Sequence, residues 1–207
     1  MKQKLYLIAN SVLTKGRPIE NVVREAVAGG VDIVQLREKD RPACEVYSTA
    51  LKIKSVLKDF PGTFFLINDR VDIAMAVEAD GVHLGQASLP LKTVRCLLGD
   101  KKIIGVSTHS IEEAERAQRE GADYIIFSHI FETKSKPGLA PKGIKALSEI
   151  KARIKIPIFA LGGINETNVH EVLNAGVDNI VVMSAIWESS DPRNTALQIK
   201  KKIQGVV

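Results

Sequence analysis

Cysteine is nearly absent from this chain. Cys44 and Cys96 are the only two among 207 residues, and both fall in segments with helical patterning, so neither a disulfide framework nor a zinc site is expected. Aromatic residues make up 5% of the chain and no nucleic-acid recognition motif accompanies them, which argues against a nucleic-acid partner. No apolar run approaches the ~20 residues of a membrane-spanning helix, and neither a signal peptide nor a low-complexity tail is recognised. The expected setting is the cytoplasm, without a membrane partner. Charge of either sign is mild: 29 Lys and Arg against 24 Asp and Glu leave +5, and Lys200, Lys201 and Lys202 read as a solvated helix face.

What the chain does contain is a repeated cadence of small residues, an aspartate and a β-branched apolar run. It is found at Ala28–Arg37, Ala79–Gly85, Gly121–Phe127 and Ala175–Met183. Further apolar runs lie at Leu5–Ala9, Thr63–Asn68, Ile103–Ser107 and Ile156–Leu161. Each is too continuous for a strand with one wet face, which suits parallel strands covered on both sides. Helical patterns separate them: Ile19–Val27 and Ile111–Gln118 place apolar or small residues on one stripe and charges on the other. Ser110 stands as an N-cap before Glu112 and Glu113. A further helix is expected over Asn165–Leu173, stopped by Gly176. Eight strand–helix pairs of roughly 25 residues predict a closed (β/α)8 TIM barrel, one domain over 1–207. An open doubly wound sheet is the structural alternative, and eightfold alternation without a second composition block favours closure.

In such a barrel chemistry belongs where strands run into their following helices. Those positions hold Gln35, Arg37 and Lys39; Asn68 and Asp69; Gln86 and Ser88; Ser107 and His109; then Gly162, Gly163 and Ser184. The richest stretch follows Phe127, where Ser128–Gly143 gathers His129, Thr133, Ser135 and Lys136. This rim is polar and cationic, a site for a phosphorylated ligand. Gly162 and Gly163 before a helix, with Ser184 alongside, fit the phosphate position after the last two strands; the bland reading is that they relieve crowding in a tight turn. Arg37 and Lys39 suit an anion or ring, or else a salt bridge to Asp69 or Glu38. Asp69 is the candidate Mg2+ ligand, and magnesium usually takes one or two carboxylates plus ligand phosphates. Of the histidines, His83 reads as a hydrogen-bonded core residue, His109 as a rim residue of open role, His170 as solvated and His129 as functional.

Ile67-Asn-Asp-Arg-Val-Asp-Ile-Ala74, Ala79–Gln86, Gln35-Leu-Arg-Glu-Lys39, Gly105-Val-Ser-Thr-His109 and Gly162-Gly-Ile164 together resemble the thiamine phosphate synthase family, over nearly the whole chain. That family includes a close relative, the thiazole tautomerase, on the same barrel. For the synthase the resemblance implies Mg2+-dependent coupling of hydroxymethylpyrimidine diphosphate with carboxythiazole phosphate. Gln35, Arg37, Lys39, Asn68, Ser107, Thr133, Ser135 and Lys136 would contact those substrates, and carboxylates at positions 69 and 88 would hold the metal. This chain keeps Asp69 but has Ser88 and Ala87, and it reads Ser128-His-Ile-Phe-Glu-Thr133 where synthases typically read Gly-Pro-Ile-Phe-Pro-Thr. One acid lost and one base gained point to the tautomerase branch. There the corresponding histidine, His129, would shift a proton to aromatise a dihydrothiazole carboxylate phosphate, with no cofactor. The synthase is the alternative, with Glu132 or Asp72 replacing the second acid; a non-catalytic regulator is a third reading. The expected partner is a small phosphorylated thiazole, and pairing into a homodimer is left open.

Overall fold

The computed structural model describes residues 1–134 and 138–205. Its strands are β1 (Leu5–Ala9), β2 (Ile33–Leu36), β3 (Phe64–Asn68), β4 (Gly81–Leu84), β5 (Ile103–Thr108), β6 (Tyr124–Ser128), β7 (Ile158–Leu161) and β8 (Asn179–Val182). All pair in parallel with their sequence neighbours, and β1 closes on β8 through Leu5↔Ile180 and Leu7↔Val182. That closure excludes the open doubly wound sheet. Helices α1 (Ile19–Ala28), α2 (Ala43–Leu57), α3 (Val71–Ala76), α4 (Leu91–Leu98), α5 (Ile111–Glu120), α6 (Gly143–Arg153) and α7 (Val169–Asn174) follow the first seven strands. After β8 come the one-turn α8 (Ser184–Trp187) and α9 (Pro192–Ile203). Among the described residues no helix is long and apolar enough to cross a membrane.

Side-chain alternation explains why the runs are apolar throughout. Leu5, Leu7, Val34, Leu36, Ile67 and Val82 face outward into the main core beneath the helices. Tyr6, Ile8, Ile33, Leu66, Tyr124, Ile126, Phe159 and Val181 face inward and fill the barrel. A buried aliphatic side chain contributes about 1.5–3 kcal/mol, so both faces of each strand favour closure. At the end of the barrel away from the strand C-termini, the Asp32 carboxylate accepts from Leu5 N at 2.8 Å, Lys4 Nζ at 3.0 Å and Lys200 Nζ at 2.6 Å. This joins β1, the start of β2 and α9.

Local chemistry sets the helix ends. Ser110 Oγ accepts from Glu113 N at 3.2 Å, the expected N-cap of α5. The helix expected from Asn165 begins four residues later, at Val169. Asn165 Oδ1 accepts from Thr167 N at 2.8 Å and Asn168 Oδ1 accepts from Asn165 N at 2.9 Å. Such side-chain turns compete with a helical start. Cys44 and Cys96 lie in α2 and α4, exposed and unbridged. Trp187 of α8 is fully buried, and its indole N–H donates to the Ile8 carbonyl at 2.8 Å.

Gly105 makes room for Tyr124 inside the barrel. A Cβ on Gly105 would collide with the ring and hydroxyl of Tyr124, the residue paired with it across β5 and β6. We expect Gly105→Ala to lower the unfolding free energy by about 2 kcal/mol through overpacking, measured as a reduced urea midpoint at unchanged slope. An unaltered midpoint would show that the Tyr124 ring is not held in this position.

Candidate active site

At the C-terminal ends of the strands lies a cavity of about 410 Å3. Gln35, Arg37, Lys39, Asn68, Asp69, Ser107, His129, Thr133, Gly162, Gly163 and Ser184 all contribute to its wall. The sequence-based candidates are therefore brought together, except Ser135 and Lys136, which lie outside the described residues.

The β2–β4 side carries the charge. Gln35 and Asn68 are buried, with Gln35 Nε2 donating to Asn68 Oδ1 at 2.9 Å and Asn68 Nδ2 donating to Asp69 Oδ2 at 2.7 Å. The other Asp69 oxygen accepts from Gly85 N at 3.2 Å and from the Ser88 hydroxyl. Asp69 itself is left-handed, with φ 60°, a conformation that is costly for an L-residue yet tolerated best by Asn and Asp after glycine. The strand-to-helix corner thus turns this carboxylate toward the cavity. The salt bridges considered for Arg37 are not formed. Glu38 Oε1 accepts from Ser11 N at 2.7 Å and Asp69 is engaged as above. The guanidinium of Arg37 faces the cavity.

Ser88 does not remove an oxygen from this corner. Its hydroxyl donates to Asp69 and accepts from Gly85 N at 2.6 Å, so position 88 braces the carboxylate that lines the cavity. Among the described residues no group of three or more His, Cys, Asp or Glu gathers to hold a metal. One carboxylate with a neighbouring hydroxyl nevertheless fits Mg2+, which takes one or two carboxylates and completes its shell from water and substrate phosphate. Neither proposed substitute acid lies here: Asp72 pairs with its near neighbour Arg70 at 2.9 Å, and Glu132 lines an adjacent cleft.

The β7–β8 side is built from backbone and small residues. Gly162 and Gly163 have φ of 111° and 66°, and a Cβ on either would strike the chain at 129–132. Crowding alone requires both glycines, and both also line the cavity beside Ser184. Ile8, Ile126 and Val181 form the apolar floor between the two sides.

The histidines separate clearly. His129 is buried, and its Nε2 lies 3.1 Å from the Leu139 carbonyl while its own carbonyl accepts from Lys142 N at 2.8 Å. It ties Leu139 and Lys142 to the end of β6. His109 lines the rim with Glu113 on its backbone N–H at 2.7 Å, and His170 is exposed on α7. His83 is buried and hydrogen-bonded, as expected, but it also reaches the cavity. Burial lowers its pKa from 6.5 to about 3, opposed by Asp69 and reinforced by Arg37. Sequence reading passed over Tyr6 and Tyr124, whose hydroxyls meet at 3.1 Å inside the barrel. The available signal was a tyrosine within a buried run, because a buried phenol needs a polar partner.

The family model for thiamine monophosphate synthase matches residues 5–186. A thiamine-phosphate synthase of Methanobrevibacter smithii is 40% identical over 200 residues, covering 97% of this chain and 95% of its own length. One from Clostridium botulinum is 47% identical over 189 residues, covering 91% and 92%. Among solved structures, the thiamine phosphate pyrophosphorylase from Pyrococcus furiosus superimposes with a TM-score of 0.89 at 36% identity, covering 99% and 97%. These relatives overturn the expected thiazole tautomerase, and with it the isomerase assignment. Physically, the two substitutions that prompted that expectation leave an oxygen at position 88 and tie the His129 ring to a loop carbonyl.

The low pKa of His83 has a sign. The unfolded imidazole takes a proton near 6.5 and the folded one near 3, so the stability that neutral His83 contributes is complete above 6.5 and is lost as pH falls toward 3. Urea midpoints should decline through this window by about one proton's linkage, and a His83→Asn variant should give a flatter profile. Equal slopes in the two proteins would contradict the assignment.

Proposed function

Because the chain belongs to the thiamine monophosphate synthase family, we propose that it is a transferase that joins a hydroxymethylpyrimidine diphosphate to a thiazole phosphate and releases diphosphate. One observation carries this reading: the cavity has two distinct anion-seeking sides above an apolar floor. Arg37 and Lys39 stand on one side, with Asp69 beside them as the candidate metal ligand, and Gly162, Gly163 and Ser184 on the other. Coupling two phosphorylated substrates uses both.

In this mechanism the bond between the pyrimidine methylene carbon and the diphosphate oxygen breaks, its electron pair leaving with diphosphate. The thiazole ring nitrogen then supplies the pair for the new carbon–nitrogen bond. Arg37 and Lys39 bind the leaving anion, and their charge acts strongly in a site partly closed to water. Gln35 and Asn68 orient the pyrimidine. Asp69, braced by the Ser88 hydroxyl, would hold Mg2+, which when bound would supply positive charge to the diphosphate. Gly162, Gly163 and Ser184 seat the thiazole phosphate, while Ser107 and Thr133 add hydroxyls to the wall. Neutral His83 places no positive charge under a methylene carbon that is itself becoming cationic. His129 acts by holding the loop after β6.

The purified chain given both substrates and Mg2+ is expected to form thiamine phosphate and diphosphate in equal amounts. Absence of product from folded protein would refute the proposal. Asp69→Asn keeps a residue type that accepts the left-handed backbone but can accept at only one of the two Asp69 oxygen positions, so its circular dichroism is recorded first to show that it folds. Its kcat/KM should fall about 100-fold or more, as expected when a metal-binding group is lost. Retained activity would remove Asp69 from the metal site.

A further inference from the structure

A continuous line of side chains crosses the barrel interior and ends at the Asp69 carboxylate. We propose that Tyr6, Tyr124 and His83 are positioning residues whose hydrogen bonds run in one direction, from the Ser107 hydroxyl to Asp69. The line holds His83 in its Nδ1-protonated form and Ser107 with its proton turned inward. It deepens the proposed function, on which only the kinetic part of its test rests.

The direction follows link by link. Asp69 accepts at both oxygens, so Asn68 must present its NH2 to it, at 2.7 Å, and its carbonyl oxygen to Gln35. Gln35 then donates from Nε2 at 2.9 Å, and its remaining oxygen accepts from the Tyr6 hydroxyl, also at 2.9 Å. A phenol has one proton, and burial raises the pKa of both tyrosines, so each keeps one and only one. With the Tyr6 proton committed to Gln35, the 3.1 Å contact between the phenols requires Tyr124 to donate to Tyr6. Tyr124 therefore accepts from His83 Nδ1 at 3.0 Å. Nε2 of the neutral ring is left to accept from Ser107 Oγ at 2.8 Å. Reversing any one link would set two acceptors or two donors against each other in a buried site, where the penalty is large.

The consequence reaches the cavity at both ends of the line. Gln35 and Asn68 are fixed in one amide orientation each, and in the ligand-free protein Ser107 offers oxygen lone pairs rather than a proton. Neither Tyr6 nor Tyr124 lines the cavity, so their effect on a ligand passes through these neighbours.

Long-range 1H–15N correlation on the 15N-labelled full chain reads the imidazole tautomer directly, with His83 identified by the signal missing from a His83→Gln variant. A protonated Nδ1 is expected, and a protonated Nε2 in the parent protein would overturn the inference. Tyr6→Phe keeps the ring and removes one link, leaving His83 Nδ1 as the acceptor for Tyr124. His83 should then switch to its Nε2-protonated form, although no group touching it has been changed. An unchanged tautomer would overturn the one-way line. In the coupling assay the same variant should lose about tenfold in kcat/KM, on the scale of one hydrogen bond, and an unchanged value would overturn the positioning role. If the parent does not couple at all, the proposed function fails while the tautomer measurement still decides the inference.

Discussion

Polar side chains buried inside a barrel need hydrogen-bond partners, and those beneath the cavity find them among one another. Among the described residues, no buried side-chain nitrogen or oxygen lacks one. The bonds from Ser107 through His83, Tyr124, Tyr6 and Gln35 to Asn68 and Asp69 meet that requirement with side chains drawn from six of the eight strands. Gly105 gives the Tyr124 ring its space, and the left-handed turn at Asp69 brings the last acceptor into reach. The barrel's polar interior and its active-site wall are thus one structure.

This arrangement keeps the floor of the site uncharged while its sides are not. Burial holds His83 neutral, and the apolar Ile8, Ile126 and Val181 lie under the space between the cationic side and the glycine side. A reaction that develops positive charge on carbon and negative charge on a departing diphosphate is served by that distribution. Fixed groups aimed at the leaving anion act without reorganisation at the moment of bond cleavage. Under the proposed function a single carboxylate would suffice for Mg2+, because the substrate would bring phosphate oxygens of its own.

Much of this was legible in the residues. Continuous β-branched runs separated by amphipathic stretches specify parallel strands between helices, and all eight runs became strands of the barrel. The polar residues at the run ends converge on one cavity because parallel strands place their C-termini on one side. Other features depend on contacts that no local pattern encodes. The start of α7 is displaced by side-chain turns of Asn165 and Asn168. Tyr6 and Tyr124 are 118 positions apart and meet only when β1 and β6 face each other across the barrel. Positions 88 and 129 misled for a related reason: their chemistry depends on orientation. Serine in place of an acid reads as a lost ligand until its hydroxyl is seen against Asp69. The ring of His129 lies on the Leu139 carbonyl, a contact ten positions away that a strand-end histidine does not announce.

The proposed function requires that one carboxylate recruit Mg2+ once a diphosphate is present. Calorimetric titration of the chain with inorganic diphosphate, with and without Mg2+, tests it without depending on turnover. Weak binding of either component alone is expected, with binding at least about tenfold tighter together, the usual scale for one metal-site contact, and that gain lost in Asp69→Asn. Diphosphate binding that is indifferent to Mg2+ in the parent protein would contradict it.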